Sequence, residues 1–450
     1  MPKQPTAVDS FPQQFAKLKF DLPGSGLAWL DDRREAGIET FNALGLPTPR
    51  LEAWKYTRLQ SLEDTQFRSA RADDANAVVD LIPSVLPADP ERPRLVFVNG
   101  FLRRDLSMTG GLPDGATVEC LTETLERDTG WVETHMGGAI ENDEHALLAL
   151  NTAMMSSGVV IHIRPGVVVS NPIEILFMTG LTDAPVAYHP RNLIVMDEGS
   201  QATLVKHYVG AGVGAYLTNT VTEISVGPGA VLHHYRVQEE DLGATHLKSE
   251  HVRIGRDGTY DSFALAIGGR LSRTETFARL EGEGSHCQLN GAYMMRGREH
   301  CDNTTVIEHM VPNTTCREVF KGVLNDEARA VFQGRIVVHK DAQHTDGYQL
   351  SKALLLSDRA EMDAKPELEI YADDVKCSHG ATTGQIDEAS LFYLRSRGIP
   401  QALARNLLIQ SFLGEALDEI SSTEVRKAMM DKIVHWLPAH CFLADEWRDG

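Results

Sequence analysis

The stretch RNLIVMDEGSQATLVKHYV, residues 191–209, places two apolar runs on either side of a short polar turn. Its runs are rich in Val, Ile and Leu, which favours extended strands, and Asp197 and Gly199 mark the turn between them. Similar runs, divided by Gly and Asp turns and showing little helical period, continue from about Val159 to Ser378. This half of the chain is therefore predicted to consist of strands.

A unit made of a turn and a strand recurs along this region. In each unit a turn residue precedes Ser, Ala or Thr and then an extended run, and most units lie 26 to 32 residues apart. The units are EGSQATL near 198, PGAVLHH near 228, DGTYDSF near 257, EGSHCQL near 283, DEARAVF near 326 and DRAEMDA near 358. Such a period is typical of a parallel β-solenoid, in which each turn buries its inward residues against its neighbours. The longer interval between 283 and 326 predicts an inserted loop, and an antiparallel sandwich is the alternative fold.

Helical segments are predicted on both sides of this solenoid. Residues 1–157 are expected to form an α-rich cap with short strands, including a helix that stops at Gly45 and a hairpin in RLVFVNGFL. Residues 158–385 form the predicted β-helix core, and residues 386–450 a helical domain. The chain is thus predicted to be mainly β, with a parallel β-helix between two helical ends.

An apolar stripe runs along the predicted C-terminal helices. Pro400 is expected to open one helix and Ser422 to cap the next, because Pro suits a first turn and Ser accepts from free backbone amides. A stripe this wide either packs the helices onto the solenoid or docks a partner protein. Its candidate partner-binding residues are Leu403, Leu407, Phe412, Leu413 and Leu417.

The composition and the absence of several motifs exclude some classes of function. Lys plus Arg total 43 against 63 Asp plus Glu, and the resulting charge of -20 would repel a nucleic-acid backbone. No export-signal pattern and no run of about 18 uncharged apolar residues is present, so a cytoplasmic protein without membrane contact is expected. The six cysteines form no C-x-x-C pair and are expected to be reduced thiols. No P-loop is present either, so any nucleotide hydrolysis is assigned to another chain.

The segment LEIYADDVKCSH, residues 368–379, carries the candidate metal-binding pair, Cys377 and His379. If the whole segment is one strand, Tyr371, Asp373, Cys377 and His379 share a face, and the backbones of Cys377 and His379 lie about 6.6 Å apart. Two side chains at that separation can reach one ion, whereas Asp373 would lie about 20 Å from His379 and could not orient it.

A thiolate and an imidazole suit iron or an iron–sulfur cluster, which needs about four protein ligands. The missing ligands would come from a second polypeptide, an exogenous thiol or another part of this chain. The competing interpretation is a buried thiol beside a histidine at the edge of a strand.

Two blocks of the sequence resemble the SufB/SufD family of iron–sulfur cluster assembly proteins. They are GLPTPRLEAWKYTRL, residues 45–59, and the long block from AVFQGRIVVHK to FYLRSRGI, residues 330–399. The resemblance is stronger to the SufD branch, because Gly380 follows the histidine of CSHG where SufB proteins tend to carry an acidic residue. It implies a right-handed parallel β-helix.

The resemblance also implies partners and a role. The chain would be a non-catalytic scaffold subunit that works with a SufB homologue and the SufC ATPase, and its C-terminal helices would dock SufC. Cys377 and His379 would lie where the two β-helices meet, holding iron or a transient Fe–S cluster with ligands from SufB, and loss of His379 would be the more damaging. Whether the isolated chain forms a homodimer, and whether flavin binds it, stays open.

Two other functions compete with this one. A β-helix enzyme acting on acidic polysaccharides would occupy the same fold, but a chain of charge -20 would repel such a substrate. A purely structural subunit would use Cys377 and His379 only to pack the junction, and SufB would hold the whole cluster.

Overall fold

A computed structural model describes residues 7–76, 85–87, 89–140, 145–210 and 214–437. Within these residues the helices are α1 (Ala7–Leu18), α2 (Ala28–Leu44), α3 (Gln60–Asp64), α4 (Leu121–Arg127), α5 (Thr129–His135), α6 (Ala146–Met154), α7 (Glu388–Ser396), α8 (Gln401–Leu417) and α9 (Thr423–Trp436). The N-terminal strands are β1 (Arg68–Ser69), β2 (Arg94–Val98), β3 (Phe101–Leu102), β4 (Ala116–Cys120), β5 (Val159–Ile163), β6 (Ile173–Thr179), β7 (Val186–Tyr188), β8 (Arg191–Met196), β9 (Gln201–Gly210) and β10 (Tyr216–Val226). The later strands are β11 (Val231–Glu239), β12 (Ala244–Ile254), β13 (Thr259–Ala266), β14 (Leu271–Leu280), β15 (His286–Met295), β16 (His300–His309), β17 (Thr315–Leu324), β18 (Arg329–Val338), β19 (Asp346–Leu355), β20 (Glu361–Ile370) and β21 (Lys376–Gly384).

From β8 to β21 successive strands alternate between two sheets, and this alternation makes the chain a β-solenoid of about eight turns. Sheet I follows the order β20-β18-β16-β14-β12-β10-β8-β5-β4, and sheet II the order β21-β19-β17-β15-β13-β11-β9-β6-β2-β3. Apart from the antiparallel pairing of β5 with β4, strands β5 to β21 pair in parallel, which confirms the solenoid and rules out the antiparallel sandwich. The predicted fold class, mainly β with helices at both ends, is confirmed.

The predicted inserted loop between 283 and 326 is wrong. Successive partners along sheet II are Gln201, Val231, Thr259, His286, Thr315, Asp346 and Lys376, spaced by 27 to 31 residues without interruption. The units near 326 and 358 precede β18 and β20, which belong to sheet I. Gly and Asp residues occur at both corners of the solenoid. The units up to 283 mark the corner before sheet II and the units near 326 and 358 mark the corner before sheet I, so the interval between 283 and 326 only resembles a longer repeat.

Several local predictions are confirmed. Helix α2 ends at Gly45, whose φ of 67° lies in the left-handed region that glycine tolerates best. Strands β2 and β3 form the predicted antiparallel hairpin. Ser422 accepts a hydrogen bond from the Val425 amide and caps α9.

The terminal helices cover opposite faces of the solenoid. Phe11 and Phe41 of the N-terminal helices pack with Leu217 and Leu247 on the outer face of sheet I. The C-terminal helices pack on sheet II, where Val319 of β17 joins a cluster with apolar residues of α8 and α9. Within the described residues no helix is long and apolar enough to cross a membrane.

Candidate metal site at the end of the solenoid

The predicted pair lies in the last turn of the solenoid. Strands β20 and β21 are the terminal strands of sheets I and II, and no described strand pairs beyond them. Cys377 and His379 both belong to β21, whereas Tyr371 and Asp373 lie in the corner that joins β20 to β21. The prediction of one continuous strand through residues 368–379 is therefore wrong, and the shared face is limited to Cys377 and His379.

Cys377 faces the interior of the solenoid and ends a column of small and sulfur-bearing residues. In-register pairing places it over Gly347, which lies over Cys316, which in turn lies over Cys287. A β-carbon built on Gly347 would lie 3.4 Å from the Cys377 sulfur and 3.5 Å from the Cys316 sulfur, so both thiols approach this glycine. Cys301 belongs to β16 in the other sheet and takes no part in this column.

His379 ends the neighbouring interior column. It pairs in register with Gln349, and Gln349 pairs with Glu318 in the turn below. Gln349 and Glu318 are fully buried, while His379 is exposed because no turn formed by the described residues covers it. Since residues i and i+2 of a strand share a face, Cys377 and His379 lie side by side at the open end, about 6.6 Å apart along the backbone.

A buried carboxyl group lies two turns below His379. Burial raises the pKa of Glu318 to about 7, although the Gln349 side-chain amide donates to it at 2.6 Å and partly opposes the shift. One oxygen of each side chain has no hydrogen-bond partner within the described part of the chain. The column below the site therefore holds a carboxyl group that keeps its proton to near neutral pH.

Cys377 is half-buried, and its thiol is less acidic than a free one. Burial raises its pKa, the Gly347 backbone amide lowers it by donating a hydrogen bond, and Asp346 raises it. Only the thiolate ligates metal, so a metal ion arriving here must displace a proton. No group of three or more His, Cys, Asp or Glu side chains with metal-binding geometry occurs within the described ranges.

The apolar stripe of α8 divides into buried and accessible parts. Leu413 and Leu417 are buried against sheet II, so we remove both from the partner-binding set: packing on the solenoid already covers them. Leu403 and Phe412 are half-buried, whereas Leu407 is 40% exposed. Nearby in sequence, helix α7 exposes Phe392 and Tyr393, which the stripe prediction missed because it considered only α8.

Sequence reasoning also missed Gln349 and Glu318. Their polar side chains lie inside the solenoid, and nothing in a single sequence marks a polar residue in a strand as facing inwards. The register of the repeats is the signal that identifies them, since residues 318, 349 and 379 occupy the same position in successive turns of sheet II.

Thiol reactivity should separate Cys377 from the other described cysteines. Cys120, Cys287, Cys301 and Cys316 are buried, whereas Cys377 is half-buried at the open end. In a Cys441→Ser background, which removes the cysteine outside the described residues, native alkylation followed by peptide mapping should modify Cys377 alone. Its rate should still rise with pH beyond 9, because its pKa is raised above the ordinary 9.0. Equal labelling of Cys316 would contradict the interior column.

The fold and the site define a class: a β-solenoid protein that presents a thiol and an imidazole at its uncovered end and carries a helical domain on one sheet. Comparison with known proteins gives the family. The model for the SufBD core domain of the SUF system for FeS cluster assembly matches residues 178–412, and the model for the SufBD protein N-terminal region matches residues 8–175. The chain belongs to the SufBD family.

Individual relatives agree over most of their length. The chain is 32% identical to the iron–sulfur cluster assembly protein SufD of Escherichia coli over 401 residues, covering 88% of this chain and 90% of that protein. It is 31% identical to an iron–sulfur cluster assembly SufBD family protein of Synechocystis, covering 87% of each. It is 27% identical to SufD of Bacillus subtilis, covering 90% of this chain and 93% of that protein.

Proposed function

We propose that this protein is a SufD-like scaffold subunit whose open solenoid end supplies Cys377 and His379 to an iron or Fe–S site shared with a SufB-type partner. The observation that carries the proposal is the position of the two side chains: both lie in the last strand of sheet II, on its interior face, with no described strand above them. An interior face at this position is accessible only from the end of the solenoid. A second solenoid abutting that end would cover both side chains.

The chemistry of the pair supports a shared site. One thiolate and one imidazole provide two ligands, and iron–sulfur clusters are held by about four. The edges of β20 and β21 also carry backbone groups with no strand partner among the described residues, and a neighbouring chain can pair with them by strand addition. Pairing of this kind would bring the partner's ligands to the same end of the solenoid.

The pair does not contribute equally to metal binding. His379 is exposed, so a ligand role requires no movement of the backbone. Cys377 is half-buried and must lose a proton whose pKa burial raises, so part of its binding free energy offsets deprotonation. This difference agrees with the expectation that loss of His379 is the more damaging.

ATP hydrolysis is assigned to a SufC-type subunit bound at the C-terminal helices, in a cytoplasmic complex in which this chain performs no catalysis of its own. The accessible apolar residues there are Phe392 at 74%, Tyr393 at 55% and Leu407 at 40% exposure. Aromatic side chains are frequent anchors of protein interfaces, so Phe392 and Tyr393 are the candidate anchors, and Leu407 extends the accessible apolar surface beside them.

Replacing these three residues tests the docking surface. The variant Phe392→Ser, Tyr393→Ser, Leu407→Ser should recover at least about tenfold less of the ATPase on co-purification, since a few anchors supply most interface energy. Phe20→Ser is the matched control, because Phe20 is 76% exposed but lies near the N-terminal helices. Unchanged ATPase recovery with the triple variant would place the docking site elsewhere.

A further inference from the structure

A cationic cleft lies between the segment Lys55–Gln60 and the outer face of sheet I. It has a volume of about 590 Å³. The N-terminal segment contributes one wall, and the other wall is formed at the start of β14, β16 and β18 in successive turns. The cleft is lined by Lys55, Tyr56, Arg58, Gln60, Arg270, Leu271, Arg298, His300, Arg329 and Asp363.

Buried contacts immediately before and within this segment fix the first wall. The Thr57 hydroxyl donates to the buried carboxylate of Asp302 and lies 3.0 Å from the His300 ring nitrogen Nε2. The Arg273 guanidinium, buried and paired with Asp302, lies 3.9 Å from the centre of the Trp54 ring. The segment is therefore held in place on sheet I, and its basic side chains are presented to the cleft by a preorganised backbone.

The charge of the lining is opposite to that of the whole chain. The lining contains five Lys or Arg side chains and one carboxylate, Asp363, whereas the chain carries -20. Arg298 pairs with Glu327 at 2.8 Å, and Arg329 pairs with Glu361. Burial lowers the pKa of His300, so its ring is neutral at neutral pH.

Three cations of the cleft form no ion pair with any carboxylate in the described part of the chain. Within the described residues Lys55, Arg58 and Arg270 make no ion pair. Lys55 approaches the neighbouring Tyr56 ring at 5.3 Å, and its charge also acts on Glu52, whose carboxylate is paired with Lys365. Converging like charges repel one another, and an anion between them removes that repulsion. The arrangement is therefore complementary to a ligand with several negative charges.

We propose that this cleft binds a small molecule carrying two or more phosphate groups. Guanidinium forks bind phosphate oxygens in pairs, and a lysine ammonium adds a point charge. The volume falls within the range of about 300–1,000 Å³ typical of small-ligand sites, which favours a small molecule over an extended acidic peptide. Tyr56 offers an aromatic face on which a base can stack if the phosphates belong to a nucleotide.

Calorimetric titration of the purified full chain tests the proposal, with inorganic tripolyphosphate and ATP as separate probes. Tripolyphosphate binding should weaken at least about tenfold in the variant Lys55→Gln, Arg58→Gln, Arg270→Gln, because three charge-assisted hydrogen bonds are removed. The matched control is Lys340→Gln, Arg405→Gln, Lys427→Gln, which makes the same charge change at exposed positions outside the cleft and should alter affinity less than about twofold. Thermal unfolding of both variants checks that they fold.

Tighter binding of ATP than of tripolyphosphate would assign a nucleotide, and equal binding would assign the phosphate chain alone. No binding, or equal loss in the two triple variants, would overturn the site, and tighter binding of a tetraglutamate peptide than of either probe would overturn the ligand class. None of these measurements involves iron or a partner, so they stand apart from the proposed scaffold role.

Discussion

His379→Ala should reduce the iron retained by the reconstituted complex by at least about tenfold, because it removes one ligand of the proposed site. The experiment uses anaerobic reconstitution with SufB-type and SufC-type partners, followed by iron counting and absorbance. His379 is exposed at the open end of the solenoid, so truncating it leaves the fold intact. Cys377→Ser should cause a smaller loss, because burial raises the pKa of this thiol and weakens its contribution.

Ser378→Ala is the matched control for this loss. Ser378 lies between the two candidate ligands on the same strand, is exposed, and faces the opposite side of the sheet. Its replacement should leave iron retention unchanged. If His379→Ala retained as much iron as Ser378→Ala, His379 would not be a ligand and a purely structural role for the junction would be favoured.

Glu318→Gln should stabilise the protein at alkaline pH and have little effect near pH 4. The folded chain holds the Glu318 proton up to a pKa of about 7, whereas the unfolded chain releases it near the ordinary 4.5. Between these values the folded state binds more protons, so wild-type stability falls as pH rises. The amide of Gln imitates the protonated carboxyl and does not ionise. The expected gain above pH 7 is on the order of 3 kcal/mol.

Urea unfolding across pH 4 to 8 measures this difference. Glu126→Gln is the control, since Glu126 is exposed and its charge is solvated in both states. A gap between Glu318→Gln and wild type that does not grow with pH would show that Glu318 is ionised inside the solenoid. That result would leave the strand register unchanged, with Glu318 two turns below His379, but it would show that the interior column below His379 carries a charge.

The sequence predicted the solenoid because turn chemistry recurs once per turn, and it predicted Cys377 and His379 as neighbours because strand periodicity puts i and i+2 on one face. The sequence-based prediction was wrong at the corner between β20 and β21. Tyr371 and Asp373 continue the alternation of β20 in the sequence, yet the chain bends between Ile370 and Lys376, and two consecutive aspartates were the only sign of a turn.

The interior polar residues could not be predicted for a different reason. A strand with both faces covered shows no clear alternation of polar and apolar residues, and β17 also carries Arg317 and Lys321, so Glu318 gives no indication of its face. The apolar stripe of α8 was visible in the sequence, but its division into buried Leu413 and accessible Leu407 depends on how the helix sits on sheet II. The inward orientation of Glu318 and the burial of Leu413 both depend on long-range packing, which the periodicity of the sequence does not reveal.

In the proposed complex this chain donates a histidine ligand to a cluster shared with another subunit. This ligand role is tested most directly by pulsed electron paramagnetic resonance of the reduced, cluster-loaded complex in which only this chain carries ¹⁵N-labelled histidine. We expect a ¹⁵N coupling of directly bound imidazole that disappears in His379→Ala. A fully loaded complex with no such coupling, or with a coupling that survives His379→Ala, would contradict it.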